Sequence, residues 1–339
     1  MRHHRDAIEP TQTTAALTRR ALLMALAASG IGAAARASGA PEIETLTLVI
    51  PGSEGGGWDS FARAIGTALT GAGLVGSVTY RNLPGGGGAT AIDALSDISG
   101  EARGTTLMIA STPFTVRAAQ GRFGDAFGAL TPVAALTGDP AAFLVPTESA
   151  VASITDLLAA FDADPLAFAL GGSTAPGGLD HLAASLAMEA SGRDPLALRY
   201  QPFGARGDAV AALVSGGIAA LAGGLSTALP LAGTGEFRIL GIAAEARSPA
   251  DPDVPTLREA GIEAEFLDWT GVLAAPDLPQ ADFERLTSLF ARLAETPDWQ
   301  AARIRNRWIA SDLRGEAFGA LLARQQEDFS RVLGKLGFL

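Results

Sequence analysis

One unit recurs along this chain and constrains its fold more than any other feature: a short apolar run, a glycine stretch, then an amphipathic stretch. "ETLTLVI" (44–50) leads into "PGSEGGG" (51–57) and "WDSFARAIGTALTG" (58–71), "GSVTYRN" (76–82) leads into "LPGGGGATAIDALSD" (83–97), and "TTLMIAS" (105–111) follows. The first run alternates and then turns wholly apolar, the pattern of a strand buried in a sheet. Phe61, Ala64, Ile65, Ala68 and Leu69 recur at helical spacing, with Gly71 as the stop. Strand–loop–helix repetition predicts an α/β chain built on mostly parallel sheets flanked by helices. With 48% apolar and 6% aromatic residues, the composition suits tightly packed α/β layers better than an aromatic-rich sandwich.

The pattern breaks at "LTGDPAAFLVP" (136–146) and then restarts: "PLAFALGGS", "GLDHLAASLAMEASG", "LALRYQPFG", "GDAVAALVSGG", "IAALAGG" and "FRILGIAA" alternate as strands and helices. From "DVPTLREAG" (253–261) the chain returns, and two long helical stretches close it. The expectation is two α/β lobes, the second inserted into the first. Residues 42–140 and 262–339 make lobe 1 and residues 141–261 make lobe 2, with crossings near 136–145 and 255–270 as a hinge.

Ahead of this lies a leader, expected to span residues 1–37. "TRRALLMALAAS" (18–29) joins charge to a short apolar stretch, and Ala35 and Ala37 form an A-x-A cleavage pattern. The apolar stretch is too short for a membrane span. Arg19 and Arg20, preceded by Thr18 and followed by Leu22 and Leu23, resemble a twin-arginine export signal more than an ordinary leader. The mature chain is expected to begin near Ser38 and to work outside the cytoplasm.

Charge and residue usage exclude several functions. The net charge is −11, Lys335 is the one lysine, and no basic run exists, so nucleic acid and anionic membrane surfaces are poor partners. The absence of cysteine removes disulfides, thiolate catalysis and cysteine-based anchors or metal sites. His3 and His4 fall in the leader, which leaves His181 and no multi-histidine metal site. Any anion site must be built locally, from backbone N–H groups and helix N-termini.

The two glycine stretches suit that task. Each follows a strand and precedes a helix, at the carboxyl end of an open sheet where ligands bind. Glycine lets backbone N–H groups turn toward a compact anion. A phosphate loop would need Gly-Lys-Ser/Thr, which is absent, and "GGGGAT" (85–90) matches a dinucleotide fingerprint only loosely. The glycines could also serve only as tight turns. A hydrolase built on His181 with Ser173, Ser185 or Ser226 lacks the G-x-S-x-G elbow, and no cofactor is called for.

Taken together, "VIPGSEGGGWDSFARAI" (49–65), "YRNLPGGGGATAIDAL" (80–95), "RYQPFGARGDAVAALVSGGIAALAGG" (199–224), "RILGIAAEARSP" (238–249) and "DVPTLREAGIEAEFLDWTGVLAAP" (253–276) resemble the substrate-binding proteins of tripartite tricarboxylate transporters, the Bug proteins. The resemblance runs in order over nearly the whole mature chain. It implies a periplasmic, monomeric, non-enzymatic protein of two lobes that closes like a flytrap on a small organic carboxylate and works with the transporter's membrane subunits. A sensor of the same fold, feeding a signalling kinase, is the competing reading.

Carried over, the ligand contacts would come from the first loop (Ser53, Glu54, Gly55, Gly56, Gly57, Trp58, Asp59), the second loop (Asn82, Gly86, Gly87, Gly88) and the strand end (Ser111, Thr112). The second lobe would add Gly172, Ser173, Thr174 and His181, with Phe203 and Gly204 facing the cleft from the other side. Phe203 stands where the family usually has tyrosine. Trp58 either packs on the ligand or fills the inner face of the first helix, and Asp59 is expected to cap that helix and shape its loop. The Gly-Gly-Gly-Trp-Asp form of the first loop and "QGRFG" (120–124) resemble the tricarboxylate-binding branch, which implies a citrate-like ligand.

Overall fold

The computed structural model describes residues 41–339; the expected leader, with its twin arginines and cleavage pattern, lies outside the described residues. The first recurring units form as the sequence implies: β1 (Ile43–Ile50), α1 (Gly57–Gly71), β2 (Val75–Asn82), α2 (Ala89–Ser96), β3 (Thr106–Ser111) and α3 (Thr112–Ala119). Next comes β4 (Thr131–Pro146), a 16-residue strand that runs straight through the composition break. The second series is α4 (Ile154–Ala163), β5 (Ala169–Gly172), α5 (Leu179–Ala190), β6 (Arg199–Pro202), α6 (Arg206–Val214), β7 (Ala220–Gly224), α7 (Leu225–Ala232) and β8 (Phe237–Ile242). β9 (Leu267–Ala274) returns, followed by α8 (Gln280–Ala294), α9 (Pro297–Asn306) and α10 (Gly315–Lys335).

The strands join in the order β2-β1-β3-β9-β4-β7-β5-β6, with β8 also paired to β4. Pairing is parallel within each βαβ series (β1 with β2 and β3; β5 with β6 and β7). It is antiparallel wherever β4 or β9 takes part. The sheet is therefore mixed rather than mostly parallel. β4 carries the chain out and β9 carries it back in the opposite direction; β4 also pairs with β7 and β8 of the second half, while β9 pairs with β3 and β4. Register shifts at Pro132/Ala134 and Ala135/Thr137 break the β4–β9 ladder, as bulges do where a strand bends.

Apolar side chains on both faces of the strands explain the layers. In the first half, Leu46, Leu48 and Ile50 pack against Phe61, Ile65, Phe290 and Trp299. On the opposite face, Val49 and Met108 pack with Phe114, Trp269 and Phe318. In the second half, Phe143 and Val145 face Leu157, Phe161 and Leu182, while Ala142 and Leu144 face Leu213 and Leu225. Helix α10 serves both halves: Phe318 and Leu321 join the first, and Phe329, Val332 and Leu333 join the second. Among the described residues no helix is long and apolar enough to cross a membrane.

Candidate functional site

A cavity of about 310 Å³ opens where the crossing strands meet the second half. Its wall is built from β4 (Asp139, Ala141, Ala142), the approach to and start of β9 (Phe266, Asp268), the β5–α5 loop (Ser173, Thr174), and the first residues of α5, α6 and α7 (Asp180, Arg206, Ser226, Thr227). Three strand-to-helix junctions thus point their helix N-termini at one space. Such ends attract anions, but here the chain supplies the anions itself. Asp139 accepts from the Ser226 N–H (2.9 Å), the Ser226 hydroxyl (2.5 Å) and the Leu225 N–H at the start of α7. Asp180 accepts from the Ser173 N–H (2.7 Å) and hydroxyl (3.1 Å), and its own N–H donates to the Thr174 hydroxyl (3.0 Å). The glycine–serine–threonine loop expected to grip a ligand carboxylate is already bonded to a carboxylate of the protein.

The third acid differs. Asp268 has only the Thr112 hydroxyl beside it, and no basic side chain pairs with it among the described residues. Burial, reinforced by the charges of Asp139 and Asp180, pushes its pKa up to about 7. Burial also raises Asp139 and Asp180, against the pull of their hydrogen bonds and of the Arg206 charge. Arg206 is the one basic side chain lining the cavity.

On the first-half side, a second hollow of about 610 Å³ adjoins the cavity, sharing Thr174 and Leu179 with it. Gly86 of the second glycine loop, Arg117 of α3, Gln120 just after α3, and Arg122 line it. Gly87 has a φ of 65°, and a β-carbon there would stand 2.4 Å from the Arg117 guanidinium. The bare glycine is what lets Arg117 lie against the loop. Neither Arg117 nor Arg122 was expected from the sequence, because both come from the helix and turn after β3 rather than from a glycine loop.

The expected contacts divide into groups. Ser173 and Thr174 line the cavity and Gly86 lines the adjoining hollow. Gly57 and Trp58 line a separate hollow beside Phe61, Thr270 and Trp308. Several others are occupied within the fold. Asp59 is buried and accepts from the Gly55 N–H (2.9 Å), Arg63 Nε (2.8 Å) and Asn82 Nδ2 (3.0 Å). Asn82 also donates to the Gly52 carbonyl (3.0 Å), and the Gly56 N–H donates back to Ser53. Asp59 thus shapes the loop, as expected, although Gly56 is the N-cap and Asp59 reaches back from the first turn. Its pKa falls to about 2, chiefly through the bond from Arg63. Ser53 and Glu54 are exposed at the loop tip.

Trp58 donates from Nε1 to Ser111 (3.0 Å) and packs its ring 5.4 Å from that of Phe114. Thr112 is fully buried and accepts the Trp269 N–H (2.7 Å), which pins β9 to α3. Gly88 has a φ of 108° and sits where a β-carbon would stand 2.3 Å from Phe114. Phe203 joins the apolar cluster under α6 rather than the cavity wall. His181 is buried, stacks on Tyr200 at 4.5 Å and accepts the Gly177 N–H on Nδ1 at 2.9 Å. Burial lowers its pKa. The hydroxyls of Ser173 and Ser226 bond to aspartates, not to this histidine.

The residues that sequence reasoning missed are Asp139, Asp180, Asp268, Arg206, Arg117 and Arg122. The signal for two of them was present: an aspartate inside each of two otherwise apolar strands, "TGDPAA" and "LDWTGV".

Comparison with known proteins gives the same fold and names its family. The family model described as "Tripartite tricarboxylate transporter family receptor" matches residues 63–306. A protein from the tcbD–tcbE intergenic region of Pseudomonas sp. (strain P51) is 29% identical over 263 residues, covering 75% of this chain and 74% of its own. A TctC solute-binding protein from Polaromonas superposes with a TM-score of 0.78 at 24% identity, over 86% of this chain and 98% of that one. MatC from Rhodopseudomonas palustris, solved with malate, gives 0.57 at 22% identity, over 86% and 99% of the two chains. An R. palustris protein solved with adipate gives 0.58 at 21% identity, over 87% and 97%. With its family model matched over most of its length, this chain belongs to the tripartite tricarboxylate transporter receptor family.

Proposed function

We propose that this chain is a periplasmic receptor that captures one small organic carboxylate between its halves and hands it to the membrane subunits of a tripartite transporter, without chemistry on the ligand. One observation carries this reading: in a chain of this family, the cavity beside β4 and β9 adjoins the hollow lined by Arg117, Arg122 and Gly86 of the second glycine loop. We place the ligand's acid group at that loop, where two cations without ion pairs among the described residues meet backbone N–H groups. Closure would turn on β4 and β9, with residues 42–140 and 262–339 moving against residues 141–261. Export of a monomer by the leader in residues 1–37, through the twin-arginine route, belongs to the same reading.

The malate and adipate bound by two neighbours are in keeping with an acid of this size. A citrate-like ligand, implied by the form of the first loop, meets an obstacle in the cavity. A trianion there would face Asp139, Asp180 and Asp268 with Arg206 as the one cation in the wall. Like charges at ~4 Å repel by roughly 4 kcal/mol at the effective dielectric of a protein surface, so an acid of fewer charges fits better.

The test is thermal unfolding screened against mono-, di- and tricarboxylates. A ligand bound only by the folded state adds ~2.7 kcal/mol at a hundredfold excess over its Kd. A clear rise in Tm with at least one acid supports the reading. Flat curves across the panel, with protein refolded to strip any resident ligand, would reject it.

A further inference from the structure

Asp139 and Asp268 are register partners on β4 and β9, and both line the cavity. From their placement we propose that the ligand presents a protonated nitrogen to these two carboxyls, so that the chain takes an acid carrying an amine remote from its acid group. This rests on the carboxylate-receptor reading above.

Four observations support it. Many of the cavity's anion-attracting donors are already spent: the Ser173 N–H and hydroxyl bond to Asp180, the Asp180 N–H bonds to Thr174, and the Ser226 N–H and hydroxyl at the start of α7 bond to Asp139. An incoming carboxylate finds few free donors there. Asp268 has no cationic partner among the described residues, and it retains acceptor positions that the Thr112 hydroxyl does not fill. Arg307 shares a small adjoining hollow with both acids but forms no ion pair with either. No group of three or more acids or histidines among the described residues is spaced to hold a metal ion. An ammonium brings three N–H donors of its own, enough to reach two carboxyls from one position.

The other end of the ligand follows from charge. Arg117 and Arg122 line the adjoining hollow and not the cavity that holds Asp139 and Asp268, so the acid and the amine are separated along the molecule. An acid group at one end and an ammonium at the other satisfy both walls, whereas a diacid satisfies only one.

The experiment is calorimetric titration of refolded protein with 5-aminopentanoate, pentanoate, glutarate, citrate and pentylamine, repeated on Asp268→Asn and Asp139→Asn. The expected result is that 5-aminopentanoate binds at least tenfold more tightly than pentanoate or glutarate. Each variant should lose at least tenfold of the preference for 5-aminopentanoate over pentanoate. Tighter binding of glutarate or citrate than of 5-aminopentanoate, improved further by Asp268→Asn, would overturn the amine contact and leave the carboxylate receptor standing. Binding of pentylamine with no acid bound would overturn the carboxylate reading instead. No binding by any of the five overturns both.

Discussion

Asp139 on β4 stands directly opposite Asp268 on β9, so two acids face each other across the antiparallel ladder that joins the halves. Like charges at opposed positions weaken a sheet, and partly buried carboxylates with no cationic partner weaken a fold further. The pair costs stability and sits at the wall of the candidate ligand cavity, the arrangement expected where a binding partner relieves the cost.

The pH dependence of stability should expose this. In the unfolded chain the Asp268 carboxyl titrates near its usual value of 3.8, and in the folded chain near 7. Between these values the folded state holds the extra proton, so this group makes stability fall as pH rises from about 4 to about 7, with the full cost present above 7. Asp268→Asn should remove that slope and stabilise the apoprotein at pH 8, by on the order of 1–3 kcal/mol relative to its effect at pH 4. His181, whose pKa burial lowers, acts oppositely below its usual 6.5, so the difference between variant and wild type in urea melts is the quantity to read. An unchanged difference from pH 4 to pH 8 would count against a strained pair.

Asp59 predicts the reverse. Its lowered pKa contributes stability that is present above pH 3.8 and lost as pH falls toward 2. Asp59→Ala should strand the Gly55 N–H and Asn82 amide and cost roughly 1–3 kcal/mol at neutral pH. The first glycine loop should then exchange its amide hydrogens faster, as hydrogen-exchange mass spectrometry would register.

Gly88→Ala is expected to destabilise the protein by on the order of 2–4 kcal/mol, because it combines a left-handed φ with a clash on the buried Phe114 ring. A melt of this variant within 0.5 kcal/mol of wild type would mean that the loop can relax.

Arg117→Ala and Arg122→Ala are expected to leave Tm nearly unchanged, since both side chains are exposed and outside any ion pair among the described residues. Each should weaken binding of the acid found in the screen by about tenfold, the scale of a hydrogen bond to a charged group. Equal affinity in both variants would move the acid group away from this hollow.

Much of the fold was legible because periodicity reports burial directly. β1, α1, β2, α2 and β3 fall within a few residues of their expected spans. β4 was not, because Gly138, Asp139, Pro140 and Pro146 read as a linker; pairing with three other strands overrides that local preference. The site was half legible. Glycine and hydroxyl loops suggested where backbone would approach a ligand; Ser173 and Thr174 line the cavity and Gly86 the adjoining hollow. Which donors remain free depends on tertiary hydrogen bonds, and Asp59, Asp180 and Asp139 consume many of them at 2.5–3.1 Å. The "DVPTLREAG" motif, among the most distinctive stretches, serves as a clasp: Glu259 binds Arg247 through two bonds of 2.6 and 2.8 Å and accepts the Thr256 N–H at 3.2 Å. None of its residues lines the candidate cavity.

The most direct test of the account is a crystal structure of the protein with the tightest acid from the screen. The account predicts the ligand in the cavity bounded by Ser173, Asp139 and Asp268, with its acid group turned toward Gly86, Arg117 and Arg122. A ligand seated elsewhere, such as the groove between Leu229, Pro230 and Trp308, or one with its acid group against Asp268, would contradict it.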